Sequence, residues 1–216
     1  MSTATDSLAT NLAAVRSRIS AAAARSPRAA RATALLAVTK SVRPEVARSL
    51  LGLGVLDLGE SRVAGLETKA AALGPGPRWH LVGTLQRNKA KRAVAVADLV
   101  HSLDTLALLE ALDRLGAARG RPVRALLEVN AGGEASKRGF APEEVAEVLR
   151  TARGREGVVV EGLMTMAPAE ADREEARGVF RSLARLRDAA RSGGLLPPDA
   201  ALSMGMSQDF EVAVEE

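Results

Sequence analysis

The sequence contains no cysteine. Disulfide scaffolds, thiolate zinc sites and thiol nucleophiles are therefore excluded. Tyrosine is absent as well, which removes one proton-transfer group from any mechanism. Two histidines, His80 and His101, cannot build a multi-histidine metal site without carboxylate help. Aromatic residues make up 2% of the chain, too few for the stacking surfaces that bind single-stranded nucleic acid. Every apolar run is shorter than a membrane span, and the start of the chain lacks a basic segment followed by an apolar one. Lysine is scarce too: Lys40, Lys69, Lys89, Lys91 and Lys137 stand against 25 arginines. In a chain that so prefers arginine, a lysine in an unusual place raises a chemical question.

What is present reads as one globular domain over residues 1–216, with 47% hydrophobic and 26% charged residues. The net charge is only +4. The pI of about 10.1 is high because little titrates between neutral pH and the lysines when Cys and Tyr are missing. Arginines alternate with acids along helical stretches, which describes solvated surface. A cytoplasmic protein without nucleic-acid or membrane partners is expected.

The first twenty residues form an amphipathic helix with Asp6 or Ser7 as N-cap candidates and Leu8, Leu12, Val15 and Ile19 on one side. Seven short apolar runs follow, at 35–38, 55–58, 79–83, 97–103, 124–130, 158–166 and 201–206. Between them lie helical patterns at 44–51, 62–72, 85–97, 105–119, 142–153 and 170–191. Pro44 and Pro142 suit first helical turns, Asp104 suits a cap, and glycines fall near helix ends. Strands alternating with helices imply a parallel sheet covered on both faces. An open nucleotide-binding sheet would carry a glycine-rich turn after its first strand, and here T-K-S-V-R-P follows instead. A TIM-type (β/α) barrel is therefore expected, although closure needs eight strands and seven are counted.

Chemistry in such a barrel sits at the carboxyl ends of the strands. Lys40 ends the run A-L-L-A-V-T-K, where a partly buried amine could attack a carbonyl; a lysine snorkelling from a strand end is the alternative. In S-M-G-M-S, Gly205 allows close backbone approach and Ser207 could cap a following helix, so the segment is either a phosphate cradle or an ordinary turn. His80 reads as a satisfied core histidine, L-Q-R-N-K-A-K-R (85–92) as a solvated helix face, and Met164 and Met166 as packing.

The stretches L-L-A-V-T-K, L-G-E-S, W-H-L-V-G-T-L-Q-R-N-K, H-S-L-D, V-N-A-G-G-E-A-S-K-R-G, G-L-M-T-M and L-S-M-G-M-S-Q-D-F, in that order, resemble the pyridoxal phosphate homeostasis proteins. These are small relatives of the alanine racemase N-terminal barrel. The resemblance implies that Lys40 forms an aldimine with pyridoxal 5′-phosphate. It further implies that Ser203, Gly205, Met206 and Ser207 help to hold the phosphate. A cytoplasmic, often monomeric carrier without established catalysis follows, with transient contact to cofactor-dependent apoenzymes. An amino-acid racemase is the alternative, and it needs a second proton-transfer group that in the related racemases is a tyrosine. A cofactor-free Schiff-base lyase would explain Lys40 but not the motif series. Two departures stand out: Ser61 occupies a place commonly held by Asn, and the family's eighth strand, V-R-(I/V)-G, is missing. Without it, the first and seventh strands are expected to be unpaired edges.

Overall fold

The computed structural model describes residues 2–26, 33–134 and 138–216. Lys137 and the A-S-K part of the V-N-A-G-G-E-A-S-K-R-G stretch lie outside the described residues. Helix α1 (Ser2–Arg25) leads into β1 (Ala37–Val38), α2 (Pro44–Gly52), β2 (Asp57–Glu60), α3 (Val63–Leu73) and β3 (Arg78–Leu81). A 3-10 turn precedes α4 (Ala90–Val96), which is followed by β4 (Leu99–Leu103), α5 (Leu106–Ala118) and β5 (Val123–Glu128). Another 3-10 turn opens α6 (Val145–Arg153), and β6 (Val158–Met164), α7 (Arg173–Ser192), β7 (Ala201–Ser203) and α8 (Phe210–Glu215) complete the chain. The seven strands are parallel and lie in sequence order. Among the described residues, β1 pairs only with β2 and β7 only with β6. The barrel-type fold and the two unpaired edges agree with the sequence reading.

The core lies between the sheet and its helices. Outward-facing strand residues such as Leu58, Leu81, Val100, Leu127 and Leu163 are buried there with Leu66, Leu109 and Leu112 from the helices. In α1, Leu12 is buried and joins this core, as its place on the apolar face leads one to expect. The sheet is curled: Ser203 on β7 reaches His101 on β4 across its inner face, at 2.7 Å. Its two ends are tied by helices. Arg18 of α1 bonds Glu211 of α8 at 2.7 Å and lies 4.6 Å from the centre of the Phe210 ring.

Three caps differ from expectation. Helix α1 begins before Asp6 and Ser7, so neither is its cap. Thr105, not Asp104, caps α5, accepting from the Leu108 N–H; Asp104 instead accepts from Arg138 at 3.3 Å. Helix α8 starts at Phe210 behind Asp209, so Ser207 does not cap it.

Candidate cofactor site at the carboxyl ends of the strands

Lys40 follows β1. It is the second residue of the Thr39–Val42 turn, which the Val42 N–H closes on the Thr39 carbonyl at 3.0 Å. Val38 faces the inner surface, since a Cβ on Gly59 would stand 3.2 Å from its Cγ2. Thr39 points outward, and its hydroxyl donates to Glu60 Oε1 at 2.6 Å. Lys40 is exposed, contrary to the expectation of partial burial.

Among the described residues the buried lysine is Lys69. Its Nζ donates to Glu60 Oε1 at 2.5 Å and to the Thr39 carbonyl at 2.8 Å, with both side chains almost fully shielded. Helix α3 thereby grips the carbonyl immediately before Lys40. The sequence carried a signal for this residue: a lysine within the otherwise apolar stretch K-A-A-A-L, in a chain poor in lysine. Burying such a charge requires a partner, and Glu60 supplies it.

At the far edge, Gly205 has φ +88°, and a Cβ there would stand 2.7 Å from Ala213 Cβ and 2.9 Å from Phe210 Cα. Only glycine allows the loop to turn this tightly over α8. The Met206 N–H donates to the buried Asp209 carboxylate. Among the described residues, the N–H groups of Gly205 and Ser207 make no hydrogen bond. Ser203 lies at the end of β7 on the inner face, and Gly83 lies so close to Ser61 that a Cβ would stand 2.2 Å from the Ser61 carbonyl oxygen.

Between these edges runs a polar chain that the sequence concealed. Asp57 Oδ1 lies 3.1 Å from His80 Nε2, His80 Nδ1 lies 2.9 Å from His101 Nε2, and His101 Nδ1 lies 2.7 Å from Ser203 Oγ. Arg78 adds two bonds to Asp57, at 2.6 and 2.5 Å. Burial acts to raise the Asp57 carboxyl, but the bonds from Arg78 and His80 prevail and hold it below its ordinary value. His80 is lowered by burial, against the pull of Asp57. His101, more deeply placed, is lowered by burial and by His80 to about 3. His80 is thus satisfied, as expected, though by a relay and not by the apolar core.

A cavity of about 130 Å³ beside Thr84, Glu128, Asn130, Arg138 and Thr165 extends the mouth past β5. Burial and then the nearby Asp104 push Glu128 up to about 7, with Arg138 opposing. Met164 is buried packing, whereas Met166 is exposed at the rim.

An exposed amine beyond the first strand, a glycine-shaped loop beyond the last, and a curled sheet of seven parallel strands define a barrel-type α/β protein with its candidate site at the carboxyl ends. The family described as "Alanine racemase, N-terminal domain" matches residues 10–215, and the chain belongs to it. Within it, the chain belongs with the pyridoxal phosphate homeostasis proteins. One from Aquifex aeolicus is 38% identical over 207 residues, covering 95% of this chain and 90% of that protein. The structure of PipY from Synechococcus elongatus with PLP bound superposes with a TM-score of 0.81 at 30% identity, covering 95% of this chain and 92% of that one. An alanine racemase from Clostridium difficile shares the fold alone, with 15% identity, a TM-score of 0.72, and 92% of this chain against 51% of the racemase.

Proposed function

We propose that the protein holds pyridoxal 5′-phosphate at the mouth of the barrel and releases it to cofactor-dependent apoenzymes. On this reading it acts as a cytoplasmic monomer without turnover of its own. The observation that carries the reading is the placement of Lys40, exposed in the turn at the carboxyl end of β1, directly after a carbonyl anchored by Lys69. When bound, the cofactor supplies an electrophilic aldehyde, which an amine can attack. Lys40 holds that end of the molecule. Ser203, Gly205, Met206 and Ser207 hold the phosphate end, with the Gly205 and Ser207 N–H groups as donors to its oxygens. The Gly205 turn fits this role because it brings bare backbone to the mouth. The family relationship and the PLP-bound relative support the choice of cofactor.

A racemase must remove a proton from one face and return it to the other, which takes two placed groups. No tyrosine exists here to be the second. His80 and His101 already hold partners below the mouth. The test is borohydride reduction of the loaded protein, followed by peptide mapping. Label on Lys40 alone among the five lysines is expected, with negligible alanine racemisation by the same preparation. Label on Lys69, Lys89, Lys91 or Lys137 instead would overturn the assignment, as turnover of ordinary enzymatic size, roughly 1 per second or more, would overturn the carrier reading.

A further inference from the structure

The relay across the barrel has a direction. An ionised carboxylate only accepts hydrogen bonds, so Asp57 requires a proton on His80 Nε2. His80 Nδ1 is then an acceptor and takes the Nε2 proton of His101. That leaves His101 Nδ1 as the acceptor for the Ser203 hydroxyl. With both rings neutral, the one proton of Ser203 points into the barrel, and its oxygen presents only lone pairs to the mouth. A phosphate dianion also presents only lone pairs. As it stands, Ser203 cannot donate to it.

We infer that Ser203 becomes a phosphate donor only when the relay takes up one proton, which comes to rest on His80. The inference rests on the phosphate-holding reading of the Ser203–Ser207 loop given above. Its proton balance closes. One proton from solvent reaches Ser203 Oγ as the original Ser203 proton passes to His101 Nδ1. The His101 Nε2 proton passes to His80 Nδ1. His80 now carries protons on both nitrogens and faces Asp57 as an imidazolium, while His101 remains neutral in the opposite tautomer. Ser203 accepts from His101 Nδ1 and has one proton to give outward. No other bond forms or breaks.

Burial opposes a charge on His80, but less than on the deeper His101, and its acidic neighbours favour it as the resting place. Asp57 from β2 touches it, and Asp98, ahead of β4, adds negative charge. Arg78 on its own strand opposes, though it is itself bonded to Asp57. His101 from β4 is the remaining titratable neighbour, and its burial keeps it uncharged. The Arg124–Glu161 pair from β5 and β6, within reach of Asp98 and Arg78, is mutually compensated. His80 and His101 are therefore positioning residues, acting on the phosphate through Ser203.

Asp57→Asn separates this role from a merely structural one. An asparagine amide can turn its N–H toward His80 Nε2, which lets the whole relay reverse with both rings neutral and no proton gained. The probe is pyridoxamine 5′-phosphate, which has the phosphate but no aldehyde for Lys40. Calorimetric titration near pH 7 in buffers of different ionisation enthalpy counts protons taken up. Wild type should take up between about half and one proton more than Ser203→Ala, and Asp57→Asn should match Ser203→Ala. Above neutral pH, wild-type affinity should fall by up to about tenfold per pH unit relative to Asp57→Asn. Nitrogen NMR of the imidazoles gives a readout independent of the variants. Both rings should be protonated on Nε2 in the free protein, and His80 on both nitrogens after loading. Binding with the same proton count in all three proteins, or unchanged histidine tautomers, overturns this inference and leaves the cofactor reading standing. Absence of probe binding to the wild type overturns both.

Discussion

Glu128 illustrates how one side chain ties stability to pH. A buried carboxyl raised to about 7 stays neutral in the folded chain where the unfolded chain, near 4.3, has already ionised. A raised folded value means that its contribution is complete below the unfolded value and is lost as pH rises through about 7. Wild type should therefore lose on the order of 2 kcal/mol between pH 5 and pH 8 through this residue, and Glu128→Gln should not. Denaturant unfolding of both proteins at the two pH values measures the difference; parallel losses would refute the assignment. At this scale the sequence was partly legible. Lys40 and the Ser203–Ser207 loop stand out because each sits where an apolar run stops. The Asp57–His80–His101–Ser203 relay does not, since its members are 23, 21 and 102 residues apart and meet only when the sheet curls. Asp104 shows the reverse error: it resembles a cap locally, but Thr105 has the extended backbone that a cap requires, and Asp104 serves Arg138.

Among the elements, α3 and β2 are joined by the Glu60–Lys69 pair, and through Thr39 they fix the end of β1. Removing one member of a buried pair strands the other's charge. Lys69→Met should cost about 3–5 kcal/mol, and adding Glu60→Gln should recover much of it. Retention of cofactor after gel filtration should stay low in the double variant, because the Thr39 carbonyl keeps only its turn bond from the Val42 N–H and is no longer tied to α3. Unfolding midpoints together with retained absorbance check both statements; a single-variant cost below about 1 kcal/mol would show that the pair is not the joint described. The order of strands and helices was legible because buried parallel strands read as short apolar runs and their covering helices as periodic ones. Boundaries were less so. The pattern at 85–97 conceals a 3-10 turn before α4, and the first apolar run at 35–38 yields a strand of only Ala37–Val38. Backbone pairing, which apolar pattern does not encode, sets those limits.

For the whole molecule, the sheet's two ends are held by helix packing and, among the described residues, not by a ladder of backbone bonds. Helix α1 is part of that closure. Leu12→Ala should accordingly cost about 2–3 kcal/mol, the lower range for a truncated core leucine, in a single unfolding transition. A cost near zero would mean that α1 is a detachable arm. The same architecture leaves Lys40 two residues beyond a two-residue strand that has one described neighbour and few backbone bonds. Where the Lys69 bond to Thr39 is broken, a segment of that kind opens at a free energy below that of global unfolding. A ligand attached there can depart through a local excursion while β2 to β6 remain assembled. On the proposed function, the lifetime of the loaded state and the durability of the fold would be set by different parts of the chain.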